Sequence, residues 1–214
     1  MLSNICLSKI SIIKIIIAVY YAVGVAGLII PATSALFQRL VPLTLISSIV
    51  VLLAFHAKWE TRHIWVFACI ALLGFLVEVL GIATGLVFGE YSYGTSLGFE
   101  ILGTPPIIGI NWLLLTYSVY GILENTRITA VEKTLAGALM LVGFDIVLEP
   151  VAIALDMWSW GGGVIPLQNY VAWFVISIVF LGMMHLAKVR TNNPMAAFMF
   201  FVQLAFFISL NFFI

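Results

Sequence analysis

Apolar runs of about twenty residues, separated by short polar stretches, repeat along the whole chain. A helix that crosses a bilayer needs ~20 mainly apolar residues. Seven segments meet that length: about 10–31, 36–57, 63–88, 105–123, 131–155, 168–189 and 194–214. Almost nothing remains between them for a soluble domain. The expected fold is all-α, a polytopic membrane helix bundle with residues 1–214 as a single integral membrane domain. Lys9 and Lys14 before the first run and "ATSA" after it resemble a signal peptide. Its apolar core is long and no exported domain follows, so a retained helix is expected.

The polar breaks carry a sided charge pattern. Lys9 and Lys14 precede the first segment, Lys58 and Arg62 lie between the second and third, Arg127 and Lys133 between the fourth and fifth, and Lys188 and Arg190 between the sixth and seventh. With seven crossings these all fall on one side, and only Arg39 falls on the other. The positive-inside bias then predicts an inner N-terminus and an outer C-terminus. A bacterial cytoplasmic membrane is the expected location.

Composition agrees. Of the 214 residues, 64% are hydrophobic and 8% charged, against about 25% charged in soluble domains. The formal net charge is zero, so no nucleic-acid partner is expected. Cys6 and Cys69 sit far apart in apolar surroundings and suggest neither a disulfide framework nor a metal site. Glu60, Glu124 and Glu132 lie in the basic breaks and read as solvated surface charge. His56, His63 and His185 lie near helix ends on the same side, with no HxxxH or HxxHH cluster, which argues against a di-iron hydroxylase or desaturase. GxGxxG, P-loop and DDxxD motifs are absent. No metal and no cofactor are expected.

The other acids gather toward the opposite side: Glu78, Glu90, Glu100, Asp145, Glu149 and Asp156. No Lys or Arg lies in those loops to pair with them. An ionisable group inside a span costs at least ~2.5 kcal/mol on insertion scales, so function is the default reading. In "FDIVLEPVAIALD" (144–156), Glu149 lies about 40° and Asp156 about 20° around the helix from Asp145. All three share one face. Pro150 cannot donate to the Ile146 carbonyl, so a kink is expected there. Gly74, Glu78, Gly81 and Gly85 fall within an arc of about 60°, which would let another backbone or a thin ligand approach.

Two segments resemble each other. "EVLGIATGLVFGEYSYG" (78–94) and "DIVLEPVAIALDMWSWG" (145–161) each run from a submerged acid to an acid near the surface, then aromatic–Ser–aromatic–Gly. "INW" (110–112) and "QNY" (168–170) then open the next helices. A parallel internal repeat, 63–123 and 131–189, is the corresponding expectation. Tyr91, Tyr93, Trp158 and Trp160 suit the interfacial aromatic belt. The functional alternative is a mouth that stabilises a cation by cation–π attraction.

A carboxyl group in a low-dielectric site can remain protonated near neutral pH and act as a general acid, while a second carboxylate accepts a proton or stabilises a cation. This chemistry suits an electron-rich apolar substrate such as an isoprenoid alkene. A proton-coupled small-solute transporter would also keep acids in its bundle. A retinal photoreceptor is disfavoured, because the last helix has no lysine.

"GEYSYG" with "LGTPPIIGINW", then "DIVLEPVAIALDMWSW" and "IPLQNYVAWF", resemble the carotenoid biosynthesis membrane family that contains the CruF-type 1′,2′-hydratases. The likeness runs from about Leu72 to Phe180. It implies water addition to the terminal double bond of an acyclic carotenoid end such as lycopene or γ-carotene, by a lyase (hydratase) that uses neither oxygen nor a redox cofactor. Asp145 or Glu149 would protonate C2′, and Glu78, Asn111 and Asn169 would hold the attacking water. Asp156 and Glu90 would order water at the mouth or stand as plain surface acids, and Tyr91, Tyr93, Trp112, Trp158 and Trp160 would flank the substrate. A membrane carotenoid cyclase is the nearest alternative, sharing the protonation step. The implied partners are a carotenoid within the lipid bilayer and other enzymes of the same pathway.

Overall fold

The computed structural model describes residues 2–214, with side chains from residue 9 onward. Eight helices run in chain order: α1 (Leu2–Ile29), α2 (Pro31–Arg39), α3 (Val41–Ala54), α4 (Thr61–Thr84), α5 (Ile107–Leu123), α6 (Ala130–Ala154), α7 (Leu167–Leu186) and α8 (Ala196–Asn211). Two three-residue strands, β1 (Tyr91–Tyr93) and β2 (Trp158–Trp160), join the loops after α4 and α6. Cys6 lies outside the described side chains, and Cys69 is free and exposed.

Among the described residues, four helices are long and apolar enough to cross a membrane: Lys9–Ile29 within α1, and α4, α6 and α7. The second expected segment is broken. α2 and α3 are bent by 55° around Leu40, and Pro42 sits in the first turn of α3 just after the bend. Taken as one unit, the bent pair is apolar enough to count as a fifth candidate span. α5 and α8 have 17 and 16 residues, shorter than the expected segments.

α5 is the axis of the bundle. Twelve of its residues are buried, and α3, α4, α6, α7 and α8 all pack on it. A helix sheathed on every side by other helices is apolar all round and shows no amphipathic face. The outer helices keep one lipid-ready stripe instead. On α6 this is Val131, Leu135, Leu139, Ile146 and Ile153, all exposed.

Local signals set the ends of the acid-bearing helices. Thr129 caps α6 by accepting from the Glu132 N–H while the Glu132 carboxylate accepts from the Thr129 N–H, a reciprocal capping box. Glu132 is thus a cap as well as a surface charge. α4 stops at Gly85, whose φ of +65° is left-handed. Pro150 lies inside the single helix α6, and one turn earlier the Asn211 amide donates to the Val147 carbonyl from the end of α8.

The architecture is all-helical as expected, and the two short strands are its one addition. β1 and β2 are antiparallel, with Tyr91 opposite Trp160, Ser92 opposite Ser159 and Tyr93 opposite Trp158. Alternation places both serines on the exposed side and the four aromatics on the bundle side. Gly94 follows β1 because a side chain there would collide with the Asp156 carbonyl oxygen.

Candidate active site

The ribbon carries four aromatic side chains down onto two glutamates from different helices. Glu78 of α4 is 5% exposed. Its Oε2 accepts from the Tyr91 hydroxyl at 2.5 Å and the Tyr93 hydroxyl at 2.8 Å, and its Oε1 accepts from Trp112 Nε1 at 3.0 Å. Glu149 of α6 is 1% exposed. Its Oε2 accepts from Trp160 Nε1 at 2.9 Å and Trp158 Nε1 at 3.1 Å. Its Oε1 has only a long 3.5 Å approach from the Asn169 amide.

The two carboxyls line one cavity of about 30 Å³, with Tyr91, Tyr93, Asn111, Trp112, Trp158, Trp160 and Asn169. A water needs roughly 10–15 Å³ on this measure, so there is room for about two. No Lys, Arg or His lies on its wall. Burial, followed by the facing Glu78 carboxyl, pushes the Tyr91 and Tyr93 phenols up, so both stay O–H donors.

The glycines of α4 serve these donors. A side chain at Gly74 would press on Trp112, and one at Gly81 on Phe88 and the Tyr91 hydroxyl. At Gly74 and Gly81 the space expected for a backbone or thin ligand is therefore filled by Trp112, Phe88 and Tyr91.

Asp145 is fully buried but is not on the cavity wall. Its Oδ2 accepts from the Asn169 amide at 2.7 Å, and its Oδ1 has no partner among the described residues. It stands one hydrogen bond behind the cavity.

Asp156 and Glu90 are not brought to the cavity. Asp156 Oδ2 accepts from the Thr95 N–H at 3.1 Å and the Thr95 hydroxyl at 2.9 Å, tying the two ribbon loops together. Those two bonds hold its carboxyl below the usual carboxylate range. Its φ of +53° is left-handed. Glu90 is exposed beside Gly161, whose N–H donates to the Glu90 carbonyl.

Trp173, Phe88 and Ile108 also line the cavity and were not legible beforehand. Trp173 stacks on Trp112, with ring centroids 4.2 Å apart. Its sequence signal is slight: a tryptophan one turn after Asn169 on the same helix face.

A second polar network closes the other end of the bundle. His56 Nδ1 lies 2.7 Å from the Tyr117 hydroxyl, and His56 Nε2 lies 3.1 Å from His63 Nδ1. Burial, then the neighbouring His63, pushes the His56 imidazole down. Glu124 is not simply solvated: its carboxylate accepts from the N–H groups of Thr191 and Asn192 and from the Thr191 hydroxyl. No group of three or more His, Cys, Asp or Glu that could hold a metal ion occurs among the described residues.

A helical bundle rich in membrane-length apolar helices, with paired carboxyls in a small aromatic cavity, defines a class: membrane proteins whose buried acids are placed for acid–base chemistry. Comparison with known sequences places it further. The profile of the carotenoid biosynthesis protein family matches residues 39–214, and the chain belongs to that family. The bisanhydrobacterioruberin hydratase of Haloarcula japonica is 31% identical over 117 residues, covering 50% of this chain and 39% of the relative. The chain thus spans about two fifths of that curated relative's length. No solved structure matches.

Proposed function

We propose that this protein is a carotenoid 1′,2′-hydratase that adds water to the terminal double bond of an acyclic carotenoid end, with lycopene or γ-carotene as substrate and a tertiary alcohol as product. The observation that carries this reading is the unequal saturation of two carboxyls facing one water-sized cavity. Glu78 accepts three hydrogen bonds spread over both oxygens, the pattern of an ionised carboxylate. Glu149 has both strong donors on Oε2, which leaves Oε1 free to carry a hydrogen. Two carboxyls in one enclosed site favour sharing a single proton.

In the proposed reaction Glu149 Oε1 gives its proton to C2′ and the π bond breaks. A tertiary cation forms at C1′, within reach of the tryptophan faces. A water held by Asn111 and Asn169 attacks C1′ and loses a proton to Glu78. After the product leaves, water refilling the cavity returns that proton to Glu149. The net change is addition of one water, with no oxidant, reductant or cofactor in the balance. Asp145 acts by orienting Asn169.

We also propose seven crossings with the ribbon on the face opposite the N-terminus, α5 being short because other helices shield it. The membrane would be the cytoplasmic one, and residues 1–214 a single membrane domain. The repeat is proposed with a changed register. Glu78 corresponds to Glu149 rather than to Asp145, since each takes hydrogen bonds from the aromatic pair of its own strand.

The test is expression in a lycopene-producing host that lacks hydratases, with chromatography and mass measurement of the pigments. Hydration adds the mass of water. Cyclisation would leave mass unchanged, and an unaltered pigment pool would remove both readings in favour of transport.

A further inference from the structure

A substrate end that reacts at the acid cavity leaves a long polyene chain to be housed elsewhere. The acid cavity shares Ile108, Asn111 and Trp158 with a larger cavity of about 120 Å³. Asn111 sits at that seam, and its side chain makes no hydrogen bond to another described residue. The larger cavity in turn shares Tyr20 and Tyr21 with a third, of about 190 Å³.

The three are in line. On α1, Gly24 and Leu28 line the second cavity and Ile16 and Ile17 the third. On α3 the shift runs from Val41 to Val51, and on α8 from Gln203 to Met199. α1 and α3 run in opposite directions, so all three helices place the third cavity farther from the ribbon than the second. From Leu28 to Ile16 the helix rises about 18 Å. At the partition the Tyr20 hydroxyl meets Thr44 Oγ1 at 3.0 Å and the Tyr21 hydroxyl meets Ser48 Oγ at 2.7 Å. Ile16, Tyr20 and Val23 line these cavities and are exposed. The track is therefore open sideways between α1 and α3, where a lipid-dissolved chain can enter without threading.

We propose that the two apolar cavities form one laterally open track that holds the distal polyene chain of the substrate parallel to the helix axes, with Tyr20 and Tyr21 as the partition along it. This rests on the polyene-hydratase reading for its ligand. One end reacts per binding event, because the chain leaves the acid cavity toward the opposite end of the bundle. Chain length is sensed in the third cavity.

The test compares two ligands with the same terminal alkene, lycopene and geranylacetone, in nanodiscs. Binding is read by tryptophan quenching for lycopene and by mass-spectrometric retention for geranylacetone. Val51→Phe and Ile16→Trp each fill the third cavity, and Ile16 faces lipid, so its replacement leaves the core packing alone. The expected result is a loss of about tenfold or more in lycopene affinity, from several displaced methylene-sized contacts, with geranylacetone retention unchanged. Unchanged lycopene affinity in both variants, or an equal loss for both ligands in Ile16→Trp, overturns the track. Wild-type protein that binds lycopene in this pattern but forms no alcohol keeps the track and removes the hydratase reading.

Discussion

Tyr93 and Trp158 face each other across the two-stranded ribbon, and their polar tips reach carboxyls on different helices: Tyr93 reaches Glu78 of α4 and Trp158 reaches Glu149 of α6. Their rings meet edge to face, with centroids 6.3 Å apart. One cross-strand pair thereby fixes two buried acids relative to each other. The ribbon is the lid of the site and also its alignment device.

The acids should separate by role. Glu149→Gln removes the proposed proton donor and should lower alcohol formation at least ~10²-fold. Asp145→Asn leaves the cavity wall intact and should cost about tenfold, through a misplaced Asn169. Rates at matched protein levels in isolated membranes check this. Equal losses would move Asp145 into direct contact with substrate.

Removing one donor from a buried carboxyl should be costly even where another remains. Trp160→Phe deletes the 2.9 Å bond to Glu149 and should destabilise the protein by about 1–3 kcal/mol. A thermal melt in detergent reads the change. An unshifted melting temperature would mean that the indole bond contributes nothing.

Gly94→Val should unseat the ribbon, because its side chain would occupy the position of the Asp156 carbonyl oxygen. The expected cost is about 2 kcal/mol or more. Altered near-ultraviolet circular dichroism should accompany it as Trp158 and Trp160 lose their fixed setting.

The acid limb of stability should depend on Asp156. Thr95 donates to its carboxylate twice and depresses its folded-state pKa. Depression means that the contribution is fully present above the unfolded value of about 3.9. It is lost as pH falls through the lower folded value. Asp156→Asn should flatten the melting-temperature profile below about pH 4, and asparagine tolerates the left-handed backbone that this position needs. Activity near neutral pH should persist, since Asp156 does not line the acid cavity and asparagine can still accept from Thr95.

Much of the site was legible because its residues are expensive where they stand. Glu78, Asp145 and Glu149 announce themselves as acids in apolar helices, and the repeated aromatic–Ser–aromatic–Gly marks the ends of those helices. What misled was distance along the helix. Asp145, Glu149 and Asp156 share one face by angle, yet Asp156 lies past the last turn of α6, bonded to Thr95. The aromatic motifs read as belt or mouth, and only strand pairing turned them inward.

The sequence by itself determined the helical class, the membrane setting and the identity of the buried acids, because apolar run length and the cost of burying charge are local properties. The tertiary structure alone decided which acids share a cavity, that α2 and α3 are bent, and that Trp173 stacks on Trp112. Those facts depend on residues far apart in the chain meeting through packing, and no periodicity within one helix records where its neighbour stands.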